Sequence, residues 1–287
     1  MDQAMTLRRM VEDSREAPQS RMQVIAVTSG KGGVGKTNVV ANLAIALASS
    51  GKRVLMMDAD LGLGNLDVLL GVVPRFTLEH VFSGERHLSE VMVAGPEGVM
   101  ILPSSSGIQD LTVLTPDQQL LLVDELDRLA LDVDYLLIDT GAGISSNVTY
   151  FAVAAQQILV VVSPEPTAIT DAYALMKVLS TRYGEKYFRL LVNRAKSQRE
   201  GLDVFRKIGA VADRYLNISI DYVGYVPNDD YVPMAVCRQR AVVDLFPQAP
   251  ASQEFQRLAR TVDTWGTSTM PKGTVQFFWQ RMIARTS

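Results

Sequence analysis

The sequence predicts an α/β fold: a doubly wound, mostly parallel sheet flanked by helices. Three observations predict it. Short apolar runs of strand length alternate with longer segments of helical periodicity. The first run, Val24–Val27, leads into Gly30-Lys31-Gly32-Gly33-Val34-Gly35-Lys36-Thr37, which has the spacing of a phosphate-binding loop: glycine, four residues, then Gly-Lys-Thr. Later runs deliver Asp58, Asp60 and Asp139 at their C-terminal ends, the edge where ligands bind in such sheets.

Each element follows from local chemistry. Residues 1–11 place Leu7, Met10 and Val11 at helical spacing, so a short amphipathic helix is expected. Alone it is marginal in water, and the residues allow either a helix that needs a partner or a frayed end. Residues 12–22, charged and polar with Pro18, read as a linker. The core is expected over 23–265. Its first strand, Val24–Val27, feeds the loop, whose glycines let the backbone turn tightly and aim N–H groups at phosphate oxygens. The helix that follows, apolar over Val39–Ala48 and running to about Ser50, offers its positive end to the same anion. Lys36 would neutralise the β- and γ-phosphates and Thr37 would hold Mg²⁺. Gly51 is placed to end that helix.

Lys52–Met57 is the second strand, and Leu61–Leu70 is read as a Gly- and Leu-rich loop. Val99–Leu102 is another strand, followed by the loop Pro103–Gly107. Thr115-Pro116, a good cap and first-turn pair, opens a helix to Leu129. Asp134–Ile138 is a buried strand that ends in Asp139, the usual source of a second Mg²⁺ contact beside a phosphate loop. Ile158–Val162, Phe188–Asn193 and Asp221–Val226 complete the strands. Ala168–Ser180, Arg199–Tyr215 and Ser252–Thr264 have helical patterns.

Residues 266–273 form a Gly/Pro-containing linker, and 274–287 carry a last amphipathic helix. There Val275, Phe278, Trp279, Met282 and Ile283 fall on one face, with Arg281 and Arg285 off it. Such a helix can pack on its own domain or lie in a bilayer interface, and the stripe is the same for both.

Composition narrows the classes. At 287 residues, with 47% apolar residues, one large domain with appendages is expected. A net charge of −3 gives no global drive toward nucleic acid. Arg199, Arg206, Lys207 and Arg214 lie on or near one helix, but Asp203 and Asp213 interleave, as on an ordinary solvated face. One cysteine, Cys237, excludes an internal disulfide framework and suits a reducing compartment. It also counts against reductases that bridge an iron–sulfur cluster between two subunits. Two histidines are too few for a histidine-rich metal site. Neither a signal peptide nor an apolar run of membrane-spanning length is read in the chain.

Lys31, a second lysine inside the loop, departs from the ordinary pattern. With Gly30–Thr37 it resembles the deviant phosphate loop of the MinD/ParA family of dimerising ATPases, and the likeness covers essentially the whole chain. Within that family the chain is most similar to the flagellar-number regulators of the FlhG or FleN kind. The resemblance implies an ATP- and Mg²⁺-dependent homodimer in which Lys31 reaches the phosphates of the partner's nucleotide. It implies nucleotide contacts from Gly30, Lys31, Gly32, Gly33, Val34, Gly35, Lys36, Thr37 and Asn38, with Lys31, Lys36 and Asp60 serving hydrolysis, Asp60 by activating water. Asp58 joins Thr37 and Asp139 around Mg²⁺. Asn65 matches a first-switch residue and Gly143 the end of a second switch, Asp139–Gly143, where Gly141 stands in place of the more frequent Ala or Pro. Asn193 matches the residue that binds the adenine edge, and Pro227 and Asp229 the loop near the base.

The same resemblance gives roles to both ends. Asp2, Gln3, Ala4, Leu7 and Arg8 are similar to a segment that docks on the GTPase FlhF and stimulates its hydrolysis, Gln3 entering the partner's site. The stripe of Val275, Phe278, Trp279, Met282 and Ile283 becomes a membrane-targeting helix for an anionic surface. The implied localisation is cytoplasmic, and peripheral at the inner face of the cell membrane with ATP bound. The implied function is control of flagellar number and placement, including control of a FleQ-type transcription activator, without direct nucleic-acid binding. The alternative is a DNA-segregation ATPase of the ParA type, which needs a basic surface.

Overall fold

The computed structural model describes residues 22–61, 64–104, 114–129 and 133–265. The N-terminal element (Asp2, Gln3, Ala4, Leu7, Arg8) and the C-terminal stripe (Val275, Phe278, Trp279, Met282, Ile283) lie outside the described residues.

Eight strands form one sheet among them: β1 (Gln23–Ser29), β2 (Val54–Ala59), β3 (Val93–Ala94), β4 (Met100–Leu102), β5 (Tyr135–Ala142), β6 (Gln157–Val162), β7 (Tyr187–Ala195) and β8 (Ser219–Pro227). Their order is β3-β4-β2-β5-β1-β6-β7-β8. Every neighbouring pair is parallel except β3–β4 at one edge, so the predicted doubly wound sheet is the observed one. The strand bearing the phosphate loop is central and buried along its whole length. A strand covered on both faces has no polar side to show, which is why Val24–Val27 reads as an unbroken apolar run. One face packs Ile25 and Val27 with Val39, Leu43 and Leu47 of α1 (Lys36–Ser49). The other packs Val24 and Ala26 with Leu55, Met57, Ile138 and Phe151.

The short helices α2 (Leu66–Leu70), α3 (Leu78–Phe82) and α4 (Leu88–Val91) follow β2. Leu61–Leu70 is therefore not loop throughout. Five residues cannot display a helical period, and α2 is held from outside: the Asp58 carboxylate accepts the N–H groups of Asn65 at 2.8 Å and Leu66 at 3.1 Å. α5 (Pro116–Leu129) starts where Thr115-Pro116 predicts, with a reciprocal cap between Thr115 and Gln118. α6 (Ser146–Ala154) has no counterpart in the sequence reading. Seven of its nine residues are buried, so it carries no amphipathic stripe.

α7 (Pro166–Tyr183) extends its predicted range at both ends, and α8 (Gln198–Tyr215) extends its own by one residue. α9 (Tyr231–Val236), α10 (Val242–Leu245) and α11 (Pro250–Asp263) close the chain's described part. The end of α11 is fastened to the N-terminal edge of the sheet. Asp263 accepts from Lys52 at 2.6 Å and from the Tyr135 hydroxyl at 2.8 Å. Trp265 lies under the Arg189 guanidinium, 4.1 Å from its ring centroid. No helix among the described residues is long and apolar enough to cross a membrane.

Candidate functional site

The phosphate loop joins β1 to α1 at the C-terminal edge of the sheet. Two of its glycines are required by space. A Cβ on Gly30 would lie 2.1 Å from the backbone carbonyl of Asp171, so the loop seats directly on α7. Gly35 has φ +89 and its missing Cβ leaves room for the Asn193 amide, which would otherwise stand 2.4 Å away. Gly35 is also the N-cap of α1 and offers no side chain to it. The first-turn N–H groups of α1 are thus left to an outside acceptor, and an anion is the ligand that suits them.

The charged centre lies beneath. The buried Lys36 ammonium forms an ion pair with the buried Asp139 carboxylate, the latter in β5 directly beside β1. Thr37 also hydrogen-bonds Asp139. Asp58, next to last in β2, stands opposite Asp139 in register and is buried as well. Burial first, then the neighbouring Asp139 charge, push its carboxyl up to about 7. Burial likewise pushes Asp139 up, against the opposing pull of Lys36 and Thr37. Two buried carboxylates of like charge, next to a hydroxyl and an uncapped helix start, form a donor set that fits Mg²⁺ shared with phosphate oxygens. No three His, Cys, Asp or Glu groups among the described residues converge as a self-sufficient metal site. That agrees with an ion that draws part of its shell from a nucleotide.

Asp60 stands at the mouth of this centre. Its backbone N–H donates to Asp58 at 3.1 Å, and its carbonyl accepts from the Ser104 hydroxyl at 3.4 Å. Its carboxylate lies near Gly141 of β5 and adds to the field on Asp139. Asn65 is the N-cap of α2. Gly143, at φ +88, donates its N–H to the Ser29 carbonyl at 2.9 Å, which ties the second predicted switch to the base of the loop. Asn38 is in the first turn of α1 and its carbonyl accepts from Asn42.

The predicted base-binding residues arrive together from the other side. Asn193, buried at the end of β7, donates from Nδ2 to the Val34 carbonyl at 2.8 Å and so braces the loop. Pro227 ends β8. Asp229 is engaged structurally: its carboxylate accepts the N–H groups of Tyr231 and Ala251, both at 2.9 Å, at the starts of α9 and α11.

Lys31 is set apart from this centre. Its ammonium donates to Glu165 and to the Thr167 hydroxyl, both at 2.8 Å, on the outer side of the loop. Glu165 and Thr167 fall between the predicted strand Ile158–Val162 and the predicted helix Ala168–Ser180, where the sequence gives them no role. Their position at the ligand edge beside an extra lysine was the available signal.

The chain matches the model of the AAA domain family over residues 22–187. It is 48% identical to the antiactivator FleN of Pseudomonas aeruginosa over 91% of this chain and 94% of that protein. It is 33% identical to the flagellum site-determining protein YlxH of Helicobacter pylori, over 90% and 89% respectively. Among solved structures it superposes on the septum site-determining protein MinD of Pyrococcus horikoshii, complexed with Mg-ADP, with a TM-score of 0.70 and 28% identity. That match covers 85% of this chain and 96% of the other. The loop geometry, the sheet order and these likenesses agree: the chain belongs to the FleN/MinD family of phosphate-loop ATPases.

Proposed function

We propose that this ATPase is a dimerising switch that regulates the number and placement of flagella. The observation that carries the reading is the different placement of two lysines in one loop. Lys36 is sealed in its own site, whereas the Lys31 side chain is 36% exposed and held only by exposed partners. An ammonium so placed is suited to a phosphate presented from a second subunit. Similarity to an antiactivator and to a flagellum site-determining protein supports the flagellar context.

In this reading Gly30–Asn38 wrap the ATP phosphates, Asn193 with the Pro227–Asp229 loop faces the base, and Thr37, Asp58 and Asp139 hold Mg²⁺. The metal supplies charge neutralisation for the phosphates. Asp60 orients water for hydrolysis, which returns the dimer to monomers, and Asn65 and Gly143 belong to the loops that respond. The C-terminal helix meets an anionic membrane surface from the cytoplasm when ATP is bound. The N-terminal element stimulates the FlhF GTPase, and a FleQ-type transcription activator is a further partner. A DNA-segregation role is less well supported: of the four cations on or near that helix, Arg206 is paired with Asp203 at 3.3 Å and Arg214 lies over Tyr215.

The test is gel filtration with light scattering, with ATP or ADP, for the wild type and Asp60→Ala. An ATP-dependent dimer that persists in Asp60→Ala is expected. A monomer under every condition would overturn the reading.

A further inference from the structure

Arg194 has a backbone that its residue type disfavours. Its φ is +59, the left-handed region that glycine or asparagine enters at least cost. The cause is a bulge at the end of β7. Asn193 pairs with Val226 and Ala195 with Pro227, which leaves Arg194 as the extra residue. The bulge turns the Asn193 amide inward onto the loop and puts Arg194 on the exposed surface. There its Nε lies 3.8 Å from where a Cβ on Gly35 would be, so the guanidinium hangs beside the phosphate loop. A strained residue kept at a ligand edge calls for a compensating use.

Glu165 is a carboxylate held at the same loop, by Lys31. In this structure Glu165 is neutralised by Lys31 at 2.8 Å. Its carboxyl is held below the usual range by Lys31 first, and also by the field of Arg194. Arg194 itself makes no ion pair among the described residues. If Lys31 leaves for a second subunit's phosphates, Glu165 is left as an uncompensated anion on the surface that subunit must approach. A carboxylate desolvated without a partner opposes association.

Resting on the dimer reading above, we propose that Arg194 takes over Glu165 when Lys31 departs, so that the switch exchanges one cation for another. Arg194 is then a positioning residue: it touches no reacting atom, and it releases Lys31 by lowering the cost of its absence.

A double-mutant cycle tests this. Dimer dissociation constants are measured by sedimentation, with Mg²⁺ and a non-hydrolysable ATP analogue, for wild type, Arg194→Ala, Glu165→Gln and the double variant. Arg194→Ala should weaken the dimer about fivefold, with monomer affinity for the analogue unchanged. In the Glu165→Gln background the same change should cost less than about twofold, because no anion is left to cover. Arg194→Lys should restore most of the loss. Arg194→Gly, which suits the left-handed backbone, replaces Ala should Ala lower the melting temperature. An equal cost of Arg194→Ala in both backgrounds, or no cost in either, would overturn the proposal while wild-type dimers still form. A wild type that does not dimerise overturns the functional reading along with it.

Discussion

Lys36 and Asp139 hold each other in an ion pair closed to solvent, one from the first turn of α1 and the other from β5. Neither could be buried alone at acceptable cost, since an isolated buried charge is heavily penalised. The carboxylate therefore occupies the ammonium that phosphate oxygens would claim. Nucleotide entry becomes an exchange of partners instead of the filling of an empty pocket.

Removing the ammonium tests that dependence. Lys36→Met should abolish ATP binding and lower the unfolding free energy by about 3 kcal/mol near neutral pH, because Asp139 is left buried and unpaired. Adding Asp139→Asn should recover at least half of the loss. Urea unfolding of the two variants measures both effects, and a fully additive double variant would contradict the pairing.

The raised carboxyl of Asp58 predicts a pH dependence with an unusual sign. Its folded pKa of about 7 exceeds the ordinary value of 3.8. Between those values the native state holds a proton that the unfolded state has released. This group's contribution is therefore complete below about 4 and falls as pH rises to about 7, by at most about 1.4 kcal/mol per pH unit. Carboxylates lowered by their partners, such as Glu125 and Asp134, act in the acid range below that window. Nucleotide-free protein should thus lose stability from pH 5 to 7, and Asp58→Asn should flatten the slope. A wild-type slope retained in Asp58→Asn would show that other groups set it.

Two glycines on either side of Lys31 should respond in opposite ways. A Cβ on Gly30 meets the Asp171 backbone at 2.1 Å, whereas a Cβ on Gly32 meets nothing within 4 Å. Backbone cannot yield as a side-chain end can, so Gly30→Ala should cost about 2 kcal/mol or more. Gly32→Ala should stay within about 0.5 kcal/mol of wild type. Thermal and urea unfolding without nucleotide separate this packing effect from any effect on binding.

What the sequence discloses here follows physical range. The loop, Asp58 and Asp139 were legible because their chemistry is local: a strand, a turn and a helix in succession. The run Ile158–Val162 was legible because burial on both faces leaves no polar residue in it. α6 was not, since burial all round erases its period, and α2 was not, since its start is fixed by the side chain of Asp58, seven residues upstream. Glu165 and Arg194 were hidden for another reason. Each gains its meaning from a neighbour more than a hundred residues away in the chain, Lys31 in one case and Gly35 in the other.

The attachment point of the C-terminal segment bears on the membrane role proposed for residues 274–287. Trp265 and Asp263 are fixed near Arg189, Lys52 and Tyr135, at the edge where the strands begin. The phosphate loop is at the edge where they end, about 20 Å away along a seven-residue strand. No direct contact between ATP and that anchor point spans such a distance, whereas pairing two copies would bring two such segments together wherever they attach. One interfacial helix is a weak, reversible anchor, and two tethered together bind far more firmly. Deleting residues 274–287 should therefore abolish ATP-dependent co-sedimentation with anionic liposomes and leave ATP-dependent dimerisation intact. Fusing a coiled-coil dimer to the full chain should, conversely, make liposome binding independent of nucleotide. A fusion that still requires ATP would show that the nucleotide acts on the helix by some route other than pairing.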